Sequence, residues 1–137
     1  MNRVEVRDRI LIEHLRLRER LTEIEELAQS FDKGGVAVGD ELRGSGAALC
    51  EVFAAHLAFE DAQLLPILRE IPERGSELAE RLRREHREQR ELLYYLVGRL
   101  EEESRPTSLV AREMRSFCAA IRDDMCHEES TLVAQVA

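Results

Sequence analysis

Apolar and polar positions follow each other along this chain at helical spacing in four long segments. The segments cover about residues 4–31, 38–70, 76–103 and 108–135. Between them lie three short stretches rich in Gly, Pro, Ser or Asp, as turns are, at residues 31–39, 71–75 and 103–107. β-branched and aromatic residues are sparse and strand-like alternation is missing. Four helices with short connections lie antiparallel to their neighbours, so the sequence predicts an all-α, up-down-up-down antiparallel four-helix bundle.

The second segment contains residues that disfavour a regular helix. Gly44 and Gly46 each weaken its first turns by about 1 kcal/mol relative to Ala. Pro66 has no N–H to donate to the carbonyl of Ala62, which predicts a kink or a local break near the end of this helix.

Length and charge limit the class of protein. The chain has 137 residues, which predicts a single domain over residues 1–137. It carries 28 acidic and 20 basic residues, a net charge of −8, and an acidic domain is a poor nucleic-acid binder. No apolar run approaches the roughly 18 residues that a bilayer requires, so we expect no membrane span.

The cysteines and the N-terminal residues bear on the compartment. Cys50, Cys118 and Cys126 are odd in number and stand at unrelated spacings, which favours reduced thiols over a disulfide framework. The N-terminal residues mix charged and apolar positions and contain no signal-peptide core. We therefore expect a cytoplasmic protein.

The core-facing side of each helix is interrupted by ionisable side chains. At the 3.5-residue spacing of a bundle seam these are His14, His56, Glu60, His86, Asp124 and Glu128. Counted from the helix ends that share one side of the bundle, all of them fall within a slab roughly 10 Å thick. We predict that they meet at one depth in the core.

Such a cluster needs a compensating charge, because burying an isolated carboxylate is costly. Three imidazoles and three carboxylates suit an intermediate transition metal, since the oxygens are too few for calcium and useful thiolates for structural zinc are missing. Carboxylates from opposing helices can each bridge two ions. The sequence therefore predicts a non-heme di-iron centre, two iron ions with an oxo or hydroxo bridge, held by all six residues.

These residues resemble the hemerythrin-like family, the HHE cation-binding four-helix domains. The resemblance covers nearly the whole chain and depends on His14, the His-x-x-x-Glu pair His56 and Glu60, His86, and the stretch 124–129. It implies that each His-x-x-x-Glu unit supplies one imidazole and one bridging carboxylate to a di-iron centre.

The chain departs from the family pattern at two positions. Asp124 stands where the family usually has His, and either Asp124 itself binds iron or His127 turns inward. Arg90 stands where hemerythrins proper carry another His. The resemblance therefore leaves open a weaker, asymmetric or singly loaded centre. Acidic residues beside the ligands are possible hydrogen-bond partners for them, although we expect most to face water; they are Glu13, Asp61, Glu85 and Glu129.

The predicted ligands leave open coordination positions that suit a small molecule. Leu17, Phe53, Leu82 and Ile121 would keep bulk water from that position. We expect a protein that binds, senses or scavenges O₂, NO or peroxide, with a separate redox or signalling partner that the sequence does not identify. Whether the centre turns over peroxide or NO as an enzyme stays open. The alternative is a metal-poor or metal-free helical interaction module with a decayed site.

Overall fold

Four long helices form the protein. The computed structural model describes residues 1–32, 39–102 and 104–136. The helices are α1 (Arg3–Asp32), α2 (Gly39–Arg69), α3 (Gly75–Glu101) and α4 (Thr107–Thr131), followed by a short 3-10 helix, Val133–Gln135. The described residues contain no strand, so the all-α prediction is confirmed. Most of the first predicted turn, residues 31–39, lies outside the described residues.

Contacts between helix ends confirm the antiparallel order. Arg3, at the start of α1, lies 3.4 Å from Glu70, just beyond the end of α2. Arg43, near the start of α2, donates a hydrogen bond of 3.1 Å to the carbonyl of Leu100 at the end of α3. α1 packs against both α2 and α4, and α2 packs against α3. The chain therefore runs up, down, up and down around the bundle.

α2 continues without a break through Pro66 to Arg69, so the local break predicted at this proline is wrong. Pro66 leaves the carbonyl of Ala62 without its usual helical donor, but only one turn of helix follows the proline, and the backbone stays helical to Arg69. The helix then tightens, and Ile71 donates a hydrogen bond of 3.1 Å to the carbonyl of Leu68.

α4 ends at Thr131, earlier than the predicted residue 135. The N–H of Leu132 still donates to the carbonyl of Glu128 at 2.8 Å, and the chain then narrows into the 3-10 helix. This turn places Val133 and Val136 against the core.

Two apolar clusters fill the bundle, and a polar layer separates them. The larger cluster includes Leu21, Leu49 and Met114, and the smaller one lies around Ile10 and Leu78. Between them lie five buried polar side chains, which we call the donor layer: His14, His56, Glu60, His86 and Glu128. None of the described helices has the length and hydropathy of a membrane span.

Candidate metal centre

Side chains from α1, α2 and α4 bring four possible metal ligands together. His14, His56, Glu60 and Glu128 each offer one donor atom, and these atoms all lie within 4.8 Å of one another. The two Nε2 atoms of His14 and His56 are 3.1 Å apart. The Nε2 of His14 also lies 3.2 Å from Oε1 of Glu128. Four of the six sequence-predicted ligands thus surround one point in the core.

His86 joins the same layer from α3. Its Nε2 lies 3.4 Å from Oε1 of Glu60, and the same oxygen is 3.0 Å from Nε2 of His56. His86 is fully buried, as is Glu60. The Glu60 carboxylate therefore stands between an imidazole of its own helix and one of the next helix.

The structure does not bring Asp124 into this group. Asp124 is half-buried and accepts a side-chain hydrogen bond from Gln89. It precedes Glu128 by four residues, so it lies about one helical turn, or 5.4 Å, along α4. His127 does not turn inward either: its side chain is 58% exposed, and its Nε2 lies 3.7 Å from Glu85.

Each histidine of the donor layer is held from outside by a carboxylate of a neighbouring helix. The Nδ1 contacts are His14 with Glu129 at 2.6 Å, His56 with Glu13 at 2.8 Å, and His86 with Asp61 at 2.6 Å. A ring nitrogen that faces a carboxylate carries the proton and donates it. In a neutral ring the inward Nε2 then keeps its lone pair, as metal ligation requires.

An arginine supports each of these outer carboxylates. The pairs are Arg18 with Glu129 at 2.9 Å, Arg9 with Glu13 at 2.7 Å, and Arg90 with Asp61 at 2.5 Å. We call each set an Arg–carboxylate–His chain. Burial raises the pKa of Glu129, but hydrogen bonds from Arg18 and His14 outweigh it and lower that pKa overall. The carboxylate therefore stays ionised and accepts the proton of His14.

The expectation that most acids beside the ligands face water is wrong. Glu13, Asp61 and Glu129 each contact a donor-layer histidine, and Glu85 does not. The sequence analysis did not predict the role of the arginines in the Arg–carboxylate–His chains. One local signal exists: each outer carboxylate is adjacent in sequence to a donor-layer residue, as Glu13 is to His14 and Asp61 to Glu60. The partner, however, is a histidine on another helix.

The two buried glutamates have opposite pKa shifts. Burial raises the pKa of Glu60, but the neighbouring Glu128, His56 and His86 outweigh burial, and the pKa of Glu60 is lowered. Burial, and then the charge of Glu60, raise the pKa of Glu128 well above its ordinary value. Of the two, Glu128 therefore binds a proton more readily and Glu60 more readily carries the negative charge, which a bound cation would neutralise.

The donor layer contains polar atoms that no group of the described protein satisfies. They are both carboxylate oxygens of Glu60, Oε1 of Glu128 and Nε2 of His86. A buried unpaired polar atom costs about 1–3 kcal/mol, and more when it is charged. Imidazole nitrogens and carboxylate oxygens together suit first-row transition metals. The residues present therefore fit a metal cation.

Fold and site together define a metal-binding four-helix bundle. The family model of the hemerythrin HHE cation binding domain matches residues 6–136. The chain therefore belongs to the hemerythrin HHE cation-binding family, which confirms the resemblance drawn from its sequence. Comparison with curated proteins and with solved structures gave no match.

The outer carboxylates are expected to set metal affinity. Glu13→Ala removes the acceptor that orients His56, and we expect the affinity for Co²⁺ to fall about 10–100-fold, the usual cost of losing such a partner. Glu19→Ala, on the exposed face of the same helix, is the matched control and should leave affinity unchanged. Competition with a chromophoric chelator measures both. Equal affinities for the two variants would contradict the orienting role of Glu13.

Proposed function

We propose that this domain holds two non-heme iron ions in the donor layer and binds O₂, NO or peroxide there. The observation that carries the proposal is the approach of two inward lone pairs, the Nε2 atoms of His14 and His56 at 3.1 Å, beside the Glu60 carboxylate. When both rings carry their proton on Nδ1, the two Nε2 lone pairs face each other at this distance, and a cation between them would relieve the repulsion.

The donor layer divides into two sides. His14 and His56 would hold one ion, His86 would hold the other, and Glu60 and Glu128 come from opposing helices and suit the bridging positions. When bound, an iron pair supplies open coordination positions and electrons to a small ligand. The side of His86 has a single imidazole, which favours this side for ligand binding.

The protein contributes orientation and exclusion of water. The Arg–carboxylate–His chains fix the direction of each inward Nε2, and so the ligand positions are set before a cation arrives. Buried apolar residues above and below the donor layer keep bulk water away; they include Leu17, Phe53, Leu82 and Ile121. A small uncharged molecule such as O₂ or NO partitions readily into such surroundings, whereas a larger organic substrate does not fit a closed core.

The test is protein purified from cells supplied with iron. We expect two irons per chain, a near-ultraviolet charge-transfer band and a spectral change on adding NO. His14→Leu should lose this iron, whereas the exposed His127→Leu should keep it. One iron per chain would overturn the dinuclear assignment, and an iron-loaded protein without response to O₂, NO or peroxide would overturn the ligand assignment. Protein that takes up no metal would favour the interaction module.

A further inference from the structure

Three of the four helix–helix boundaries around the donor layer are closed by an Arg–carboxylate–His chain. The chain with Arg18 lies between α1 and α4, that with Arg9 between α1 and α2, and that with Arg90 between α2 and α3. Each places a guanidinium group on the outer side of the boundary. A metal cation approaching at any of these three positions meets a positive charge.

The fourth boundary, between α3 and α4, is built differently. It contains a cavity of about 210 Å³, which we call the α3–α4 groove, lined by Glu85, Glu88, Gln89, Leu92 and Asp124. No arginine belongs to this lining, as far as the described residues show. α3 and α4 also pack against each other less closely than either packs against its other neighbour. The groove is therefore an open and negatively charged boundary.

The groove ends one helical turn from the donor layer. Gln89 follows His86 by three residues on α3, and Asp124 precedes Glu128 by four residues on α4, so each shares a helix face with a donor-layer residue. The charge of Glu85 raises the pKa of Glu128 inside the layer, and the charge of Asp124 raises the pKa of Glu85. The acidic lining is thus continuous with the buried carboxylates.

Gln89 gives independent support for a ligand in the groove. This side chain is only 9% exposed, and its amide group donates a hydrogen bond to Asp124. Its carbonyl oxygen Oε1 is buried and has no hydrogen-bond partner. Carboxylate and amide oxygens are the ligands that a hydrated divalent cation accepts most readily.

We propose that the α3–α4 groove docks a hydrated divalent cation and delivers it to the donor layer. The proposal rests on the cation-binding function proposed above and adds the route of entry. The carboxylates of Asp124, Glu85 and Glu88 raise the local cation concentration, and Oε1 of Gln89 contacts the cation or its water. Asp124 then acts as a docking residue at the mouth of the site and is not a ligand of the loaded centre.

The experiment compares two adjacent aspartates. Asp124→Asn and Asp123→Asn remove the same charge from neighbouring positions, but Asp123 is exposed and does not line the groove. Metal-free protein is mixed with Co²⁺ in a stopped-flow instrument, and the cobalt absorption follows loading. Charge steering changes association rates by about 10–10³-fold, and we expect Asp124→Asn to slow loading about tenfold. Release to a chelator should slow by the same factor, so that affinity and bound cobalt stay unchanged.

Ionic strength and a neutral variant keep the test independent of folding defects. Added salt should slow loading of the wild type and of Asp123→Asn, and should slow Asp124→Asn less, because only Glu85 and Glu88 then remain in the groove. Gln89→Leu removes the carbonyl oxygen without changing the charge and should also slow loading. Circular dichroism checks that each variant is helical.

Three results would overturn the proposal. Loading of Asp124→Asn at the rate of Asp123→Asn would exclude the groove as the route. A loss of bound Co²⁺ or of equilibrium affinity in Asp124→Asn would make this residue a ligand of the centre instead. A wild-type protein that takes up no Co²⁺ would overturn the proposed function itself, and the entry route with it, which distinguishes this failure from the other two.

Discussion

Removing the metal from the domain is expected to lower its free energy of unfolding by about 4 kcal/mol, relative to protein with free metal at 1,000 times its Kd. The cation binds only the folded state, because its ligands come from all four helices and are scattered in the unfolded chain. Urea unfolding with and without a chelator, using Co²⁺ as the metal, measures the difference.

Two histidine variants identify where this stabilisation arises. His56→Leu removes a ligand whose Nε2 lies 3.1 Å from that of His14, and the metal-dependent gain in stability should disappear. His127→Leu removes an exposed histidine from α4 and should keep the full gain. If both variants gained as much from Co²⁺ as the wild type, the cation would not bind in the donor layer.

Glu128→Gln is expected to have two large and opposite effects. The variant should bind Co²⁺ far more weakly than the wild type, by more than the roughly 10–100-fold cost of losing an outer partner, because a carboxylate ligand is lost. Without metal it should be more stable than the wild type at neutral pH. The neutral amide places no second negative charge beside Glu60, whereas ionised Glu128 does.

The gain in stability should depend on pH, with a sign set by the raised pKa of Glu128. The folded wild type holds a proton on Glu128 that the unfolded chain releases above the ordinary pKa of 4.5. This contribution to wild-type stability is complete below pH 4.5 and is lost as the pH rises towards the folded-state pKa. The difference between Glu128→Gln and wild type should therefore grow by about 1.4 kcal/mol per pH unit in this range.

Urea unfolding of the metal-free proteins between pH 5 and 8 gives this slope. The exposed Glu91→Gln on α3 is the control, and its difference from wild type should not change with pH. A pH-independent difference for Glu128→Gln would mean that Glu128 is ionised in the folded protein, and that the buried pair does not share a proton.

The fold followed from the sequence because helix spacing and turn residues are local signals. Nearly all residues at the seam spacing are buried, such as those from Leu78 to Leu100 on α3, but the spacing missed other buried residues, including Leu57 and Met125. Three residues at that spacing are not fully buried: Phe31 and Ile67 near helix ends, and Asp124. Helix ends have fewer neighbouring helices to cover them.

The sequence predicts which residues face the core and at what height along the bundle they lie, and that part of the site was predictable. His14, His56, Glu60, His86 and Glu128 meet because their heights follow from counting residues along straight helices. Asp124 was on the correct face but one turn away, and nothing local indicates that the amide of Gln89 binds it there.

The Arg–carboxylate–His chains left a single signal in the sequence, the adjacency of each outer carboxylate to a donor-layer residue. Their hydrogen bonds join residues 115, 43 and 25 positions apart. Such pairings depend on which helices are neighbours and on the rotation of each helix about its axis. Those quantities emerge only from the packed bundle, whereas single-helix periodicity already placed five of the six predicted residues together in the core.

The polar donor layer between the two apolar clusters has a consequence for the cooperativity of the whole domain. Each cluster is small, and the one around Ile10 and Leu78 also anchors the C-terminal Val133 and Val136. Continuous helices join the two clusters, but without an ion the layer between them holds poorly matched charges, so one cluster can loosen while the other stays folded. A bound cation would join both clusters into one cooperative unit, so that replacing one of its ligands would also loosen the packing of Val133 and Val136.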